Sequence, residues 1–241
     1  AKDAGLKLVA EIPEIKLISD FDIKFASYES GKDGLRDFAL KLYQNINDYS
    51  GIVVFVDYRR ALFLSNIISF VFQNLPKTIV FTGGRDDKND AVDSKSNLLN
   101  AFQIAKLNVY EVALVFGNRV LRPARSYLNL DSEWNLFNAS KDGVIGKIDF
   151  GFSPVNLRRQ KASGALIFRP DINDKVSCIN LYPFTNLDIL RSMDGSGCMI
   201  EGGQVDNRTV ESIHNCKQKI ILFNTQGHKD CDRCITSLPG M

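Results

Sequence analysis

Four polar residues follow an apolar run in the first quarter of the chain. The run GIVVFV (51–56) is succeeded by Asp57, Tyr58, Arg59 and Arg60, and a helical pattern follows them. In an open α/β sheet, ligands bind just beyond the carboxyl ends of the strands. An acid, a phenol and two guanidiniums at that point could form an anion site, or they could simply form the polar turn at which a helix begins.

A second group of chemically capable residues lies near the end of the sequence. The stretch HKDCDRC places His228, Cys231 and Cys234 at a spacing typical of metal ligands. A zinc site needs a fourth ligand, or three ligands and a water, so Cys216 or Cys198 would have to approach. Because no second CxxC pair is present, these three residues are weak metal candidates, and we expect a solvated tail with free thiols.

Three arginines recur at steps of three residues at Arg119, Arg122 and Arg125. A guanidinium fork suits a carboxylate or a phosphate, but side chains three apart on an extended segment do not share a face. We therefore expect structural ion pairs here. The chain has only two histidines, His214 and His228, so histidine-dependent acid–base catalysis has little to draw on.

The elements that must position these residues alternate between short apolar runs and longer amphipathic segments. Strands are predicted at GIVVFV, KTIVFT and EVALVF, and helices at 33–48, 61–74 and 93–108. Asp33 is the predicted N-cap of the first helix, and Asp93 or Ser94 that of the third. This alternation is typical of βαβ units and a parallel sheet. Residues 117–165 show no regular pattern.

A second α/β set begins after that irregular stretch. Strands are predicted at KVSCINLY, GCMIEG and KIILFN, with helices at TNLDILRSM and DNRTVESIHNCKQ between them and a loop or tail at the end. The fold class is therefore α/β, with a larger parallel-sheet N-terminal domain and connecting segment over 1–160. A smaller C-terminal α/β domain covers 161–241.

The composition of the chain argues against several classes of binding partner and bears on its location in the cell. The 241 residues include 30 basic and 28 acidic side chains, for a net charge of +2, which gives no electrostatic argument for nucleic acid or an anionic membrane. The longest apolar run, IISFVF, is far shorter than the roughly 20 residues of a membrane span. No signal-peptide pattern opens the chain. An odd number of cysteines, 5 in all, favours a reducing, intracellular and cytoplasmic location, with an organelle left open.

Several stretches are similar to a known family. NLLNAFQIAKLNVYEVALVFGNRVLRPAR resembles the N-L-L-N-A helix, the E-V-x-L-x-F strand and the N-R-L-x-R-x-x-R turn of the bacterial-type L-asparaginases. INLYPFTNLDILRSM resembles their second-domain strand and helix, and NDYSGIVVFVDYRRALFL their D-Y-D-G-F-V-I-L-H-G-T-D-T segment. The similarity is to the cytoplasmic type I branch, and it extends over nearly the whole chain.

The resemblance implies a reaction and the groups that perform it. These enzymes hydrolyse the side-chain amide of asparagine with a threonine nucleophile and a Thr-Asp-Lys set, without a metal or other cofactor, and they assemble as dimers or tetramers. The hydroxyl nucleophile and its base are indispensable to such covalent catalysis. The family's first threonine lies in a T-G-G-T-I strand, and AKDAGLKLVAEIP matches the segment after that strand, so we expect this nucleophile to be absent.

The remaining family positions fall on residues of different chemistry. The second threonine corresponds to Tyr58, its aspartate to Arg59 and the lysine to Leu128. The substrate-holding S-x-D motif corresponds to Ser27 and Glu29. The serine is kept, and the acid is one methylene longer. Asp93 corresponds to the loop aspartate before N-L-L-N, and these three residues form a predicted ligand-binding remnant.

These replacements predict a catalytically inactive asparaginase-like protein that acts as a structural or interaction subunit. The resemblance also implies a chain truncated at both ends, so that exposed edges or apolar faces are covered by a protein partner or by a second copy. Two alternatives are an amino-acid-binding module using the remnant and an active L-asparagine amidohydrolase. No cofactor is expected.

Overall fold

The computed structural model describes residues 31–84, 92–129, 132, 135–157, 163–182, 185–186, 188–189, 197–202, 219–224 and 236–237. The chain divides into two compact units, the second of which begins at Ile172. The sequence-based division into 1–160 and 161–241 stays a prediction. None of the helices in the described ranges has the length and apolar character that crossing a membrane requires.

The first unit is built on a six-stranded sheet in the order β1-β3-β4-β5-β8-β9. Its helices are α1 (Lys32–Asn45), α2 (Tyr58–Val71) and α3 (Val92–Ala105). Its strands are β1 (Gly51–Phe55), β2 (Phe72–Gln73), β3 (Thr78–Thr82), β4 (Val112–Phe116), β5 (Arg119–Leu121), β6 (Ser126–Leu128), β7 (Phe137–Ala139), β8 (Val144–Ile148), β9 (Phe152–Pro154) and β10 (Ile167–Phe168). Two 3-10 turns, Pro123–Arg125 and Lys141–Gly143, and the strand pairs β10-β2 and β6-β7 complete it.

The predicted parallel βαβ part of the sheet is confirmed. β1 pairs in parallel with β3, and β3 pairs in parallel with β4, with α2 and α3 as the crossover helices. The sheet then continues with antiparallel strands β5, β8 and β9. These strands come from the stretch 117–165, which the sequence left irregular because its strands are short and their apolar residues do not form a run.

Both faces of the parallel strands are covered by helices. Val80 of β3 lies in a buried cluster with Ala101 and Ile104 of α3. The next residue, Phe81, points the other way and meets the ring of Phe38 of α1 edge-on at 6.3 Å. Each fully buried aliphatic or aromatic side chain of this kind stabilises the fold by about 1.5–3 kcal/mol. Because both faces of these strands are buried, their sequences are continuous apolar runs.

Two predicted helix caps are wrong by position. Helix α1 begins at Lys32 after Gly31, whose φ of 108° is readily adopted by glycine, and Asp33 lies inside the first turn. Helix α3 begins at Val92, so Asp93 is also a first-turn residue and Ser94 is buried. In both positions an acidic side chain still complements the positive end of the helix dipole.

The second unit contains a four-stranded sheet in the order β11-β12-β13-β14. Its strands are β11 (Val176–Leu181), β12 (Gly197–Gly202), β13 (Lys219–Asn224) and β14 (Thr236–Ser237). The first three lie in the predicted strand segments and pair in parallel, and β14 pairs antiparallel with β13. The tail therefore contributes a short strand that the sequence analysis took for loop.

Candidate functional site

The carboxyl ends of β1, β3 and β4 meet at one edge of the sheet, and their backbones are held closely together. The amide of Val56 donates to the carbonyl of Thr82 at 2.9 Å. A Cβ at Gly83 would lie 1.7 Å from the carbonyl oxygen of Val56. Only glycine permits this approach, so the Gly83–Gly84 turn predicted from the sequence also sets the distance between the two strand ends.

Asp57 is the N-cap of helix α2. Its carboxylate accepts a hydrogen bond from the backbone amide of Arg59 at 2.6 Å, and its carbonyl accepts from Arg60 and Ala61. A cap of this kind stabilises a helix by about 1 kcal/mol. The polar turn at the start of a helix, one of the two interpretations of this stretch, thus accounts for Asp57.

Tyr58 and Arg59 contact each other at the first turn of α2. The Nε of Arg59 donates to the Tyr58 hydroxyl oxygen at 3.3 Å, and the guanidinium carbon lies 5.5 Å from the centre of the ring. A guanidinium is a donor only and stays protonated in proteins, so it cannot take a proton from the phenol. This pair therefore lacks the base that a hydroxyl nucleophile needs.

A polar network that the sequence analysis missed ties the strand ends to helix α3. The buried side chain of Asn97 donates through Nδ2 to the carbonyl of Gly83 and accepts through Oδ1 from the amide of Gly117, both at 2.8 Å. Asn100 donates to the carbonyl of Gly117 at 3.1 Å. Gly117 has a φ of 59°, in the region that favours glycine.

The Thr82 hydroxyl belongs to the same network, because it donates to the carbonyl of Val115 at 2.8 Å and is fully buried. A signal for the network exists in the sequence, since Asn97 sits on the apolar face of α3, in line with Ala101 and Ile104. A buried polar side chain on such a face requires partners. Asp93 lies in the first turn of this helix and is half-buried.

Leu128, at the family's lysine position, is the last residue of β6 and is 41% exposed. It pairs with Phe137 of β7, and β6 lies alongside α2, the helix that begins at Tyr58. An aliphatic side chain provides neither an amine nor a proton acceptor. The structure thus explains Leu128 as part of a small surface hairpin.

The expectation of structural pairing is met most clearly at Arg122. Its guanidinium makes two parallel bonds to the Glu111 carboxylate, at 2.6 and 2.7 Å, and two more to the carbonyls of Asp142 and Asn156, each at 2.7 Å. Because these hydrogen bonds occupy a half-buried guanidinium, few of its N–H groups remain available to a ligand. This arginine connects β4 to the strands that follow it.

The other two arginines make separate contacts. Arg119 donates to the Oδ1 of Asn138 at 2.6 Å, and this oxygen also accepts from the amide of Ala139. Arg125 lies 3.9 Å from Asp142, in a pair whose side chains are largely exposed. The three arginines do not converge on one site, as the three-residue spacing predicted.

The remaining candidates lie outside the described residues, namely Ser27, Glu29, His228, Cys231 and Cys234, together with His214 and Cys216. Their proposed roles stay predictions. Within the part of the chain that the structure describes, no group of three or more histidine, cysteine, aspartate or glutamate side chains is placed to hold a metal ion.

Comparison with known proteins assigns the scaffold. The family model described as "Asparaginase, N-terminal" matches residues 2–161, more than half of the chain. The chain belongs to the asparaginase family. This confirms the resemblance seen in the sequence, and the match includes the strand ends, Tyr58, Arg59 and Leu128.

Among curated proteins, L-asparaginase 1 of Escherichia coli (strain K12) is 25% identical over 151 residues, covering 61% of this chain and 44% of the relative. One subunit of the glutamyl-tRNA(Gln) amidotransferase of Thermoplasma acidophilum is 24% identical over 155 residues, covering 61% of this chain and 38% of the relative. The chain therefore spans less than half the length of these curated relatives.

Solved structures give the same fold. L-asparaginase I from Vibrio cholerae superposes with a TM-score of 0.76 at 21% identity, over 90% of this chain and 72% of that one. The L-asparaginase of Thermococcus kodakarensis superposes with a TM-score of 0.70 at 16% identity, over 90% of this chain and 72% of that one. At these identities the likeness establishes the asparaginase-like α/β fold alone.

Proposed function

We propose that this chain is a catalytically inactive asparaginase-like protein that serves as a structural or interaction subunit of a larger, intracellular assembly. The observation that carries the proposal is the pair at the start of α2. Tyr58 and Arg59 stand where the family resemblance places a threonine and an aspartate. The hydroxyl oxygen of Tyr58 accepts a hydrogen bond from the guanidinium of Arg59. A reversed charge and a missing base at that point remove the means of activating a nucleophile or a water.

The surroundings of the pair support the same proposal. Leu128 replaces an amine with an aliphatic side chain in a surface hairpin. Members of a catalytic unit act together, so the loss of one member already removes most of the rate. The scaffold is nevertheless held together by specific contacts, including the close approach at Gly83 and the Asn97 network. A retained fold with altered chemistry fits a protein whose role is association.

The relatives provide a precedent for a subunit role. One curated relative is named as a subunit of an amidotransferase, and a structural neighbour from Campylobacter jejuni with a TM-score of 0.70 is titled a probable cytoplasmic L-asparaginase. We extend the subunit role and the cytoplasmic location to this chain as parts of the proposal. No cofactor enters it.

We expect the purified protein to release no ammonia from L-asparagine or L-glutamine above the buffer background, because the Tyr58–Arg59 pair supplies no base. A coupled ammonia assay over a range of protein concentrations measures this. Asp93→Ala is the diagnostic variant, since Asp93 is the described residue of the ligand-binding remnant, and Asp33→Ala on the exposed side of α1 is its control. Turnover that scales with protein and disappears in Asp93→Ala alone would contradict the proposal.

The subunit role has its own measurement. Native mass spectrometry of the tagged protein, purified from its source without cross-linking, should show a stoichiometric complex of defined mass. A protein recovered only as a free monomer would count against an assembly role, whatever the outcome of the ammonia assay.

A further inference from the structure

Helix α2 exposes large apolar side chains on its outward face. From Ala61 to Val71 its sequence, ALFLSNIISFV, contains no charged residue, a composition typical of a helix that is buried on all sides. In the structure, however, Phe63 is 52% exposed and Phe70 is 68% exposed. Helix α1 differs, because its exposed residues are mostly charged: Lys32, Asp33, Arg36, Asp37 and Lys41.

Phe63, Asn66 and Phe70 form one stripe along the side of α2 that faces away from the sheet. Their separations of three and four residues place them on a single helical face. The side chains that α2 buries lie on the opposite side of the helix, at Ala61, Leu64, Ser65, Ile68 and Val71. The stripe therefore has the spacing at which a second helix packs against the first.

The charge at the N-terminal end of this stripe has one sign. Arg59 and Arg60 lie in the first turn of α2 and are exposed, and the helix itself contains no acidic residue. Asp57, the acid just before the helix, accepts a hydrogen bond as its N-cap. A partner that carries carboxylates beside its apolar residues is complementary to this end of the stripe.

Asn66 distinguishes a protein partner from a lipid surface. An apolar helical face with arginines is also a feature of helices that lie on anionic membranes. Asn66, however, is at the centre of the stripe, and its side-chain oxygen is buried with no donor in the described part of the chain. Acyl chains offer no donor, whereas rotation of this amide toward a donor of a protein partner would satisfy it.

We propose that the outward stripe of α2, formed by Phe63, Asn66 and Phe70 with Arg59 and Arg60 at its N-terminal end, is a docking surface for an acidic amphipathic helix of a different protein. The partner helix packs apolar side chains against the two phenylalanine rings and places its carboxylates at the arginines. The inference rests on the proposed interaction role and deepens it, because it names the surface and the chemistry of the partner.

Photocrosslinking from the stripe tests which residues cover it. The full chain is produced in its source cells with the photoreactive amino acid p-benzoylphenylalanine at position 63 or 70, and the crosslinked residues are located by mass spectrometry. Phe150, fully exposed in the turn between β8 and β9, provides the control position. We expect crosslinks from positions 63 and 70, but not from 150, to an acidic amphipathic helix of another protein.

A synthetic probe tests the chemistry of the surface without the natural partner. The probe is a fluorescent helical peptide of about 18 residues with leucines at the same spacing and flanking glutamates, and a second peptide has lysines in place of the glutamates. Fluorescence anisotropy with the purified full chain should show acidic-peptide binding at least about tenfold weaker for Phe70→Ser, and unchanged for Phe150→Ser. Arg60→Glu should lower the preference for the acidic peptide about tenfold.

Four outcomes would overturn the inference. Crosslinks from positions 63 and 70 to other residues of the same chain, or to a second copy, would show a stripe that this protein covers itself. Crosslinks to no protein would remove the partner, and an acidic peptide that binds Phe70→Ser as well as the native chain would remove the surface. Binding to vesicles of phosphatidylcholine and phosphatidylglycerol that Phe70→Ser abolishes, without a crosslinked helix, would assign the stripe to lipid instead.

The inference and the proposed function can fail separately. A stoichiometric complex in native mass spectrometry whose crosslinks lie away from α2 refutes this inference alone. Ammonia release by a complex that does crosslink through positions 63 and 70 refutes only the proposed catalytic inactivity.

Discussion

Asn97→Leu should lower the free energy of unfolding by about 4 kcal/mol, one of the largest effects of a single substitution in this chain. Leucine is close enough to asparagine in size to pack on the apolar face of α3. The change therefore removes hydrogen bonds without opening a large cavity. The expected cost comes from the carbonyl of Gly83 and the amide of Gly117, which would stay buried with no partner.

The size of this effect follows from the position of both partners. A buried donor or acceptor left unsatisfied costs about 1–3 kcal/mol, and Asn97 satisfies one of each while being only 4% exposed. The two groups belong to turns after β3 and β4, so the loss also frees the loops at the carboxyl edge. Chemical denaturation monitored by circular dichroism measures the change in the free energy of unfolding. In thermal unfolding, the melting temperature should fall by roughly 10 °C.

Asn100→Ala is the matched control on the same helix. Asn100 makes one hydrogen bond, to the Gly117 carbonyl, from a half-buried position, so its loss should cost only about 1 kcal/mol. If Asn97→Leu costs no more than Asn100→Ala, water or a shifted backbone satisfies Gly83 and Gly117, and the network is not what holds the edge together.

The parallel strands and their helices could be predicted from the sequence because each carries its signal locally. EVALVF is an uninterrupted apolar run, and KTIVFT ends at a glycine pair. Helix α2, however, begins at Tyr58 and not at Ala61, because Asp57 caps it. A cap is one residue whose side chain has several uses, so the sequence was equally consistent with an anion site and with a polar turn at the start of a helix.

The candidate site was only half predictable for a different reason. Position by position, Tyr58, Arg59 and Leu128 could be placed by resemblance, but the contact between the phenol and the guanidinium is a matter of side-chain conformation. The Asn97 network joins residues 14 and 20 positions apart. No local pattern specifies those partners, although a polar residue on an apolar helical face does signal that partners exist.

Arg122 shows how a feature that looks functional in the sequence becomes structural in the fold. Its fork meets the Glu111 carboxylate through two bonds, and its remaining contacts are backbone carbonyls of segments on either side of β8. The side chains of this pair are 12% and 18% exposed. An ion pair with so little exposure is costly to break, because the remaining carboxylate stays desolvated without its partner.

Arg122→Ala should therefore destabilise the fold by about 3 kcal/mol, whereas Arg125→Ala should cost less than about 0.5 kcal/mol because its pair with Asp142 is exposed and 3.9 Å long. Arg122→Lys keeps the charge but loses the bidentate geometry, so it should fall between the two. Urea unfolding of the three variants measures the order. If Arg122→Lys matched the native chain, the charge alone would matter; if Arg122→Ala did, the arginine would be free to serve a ligand after all.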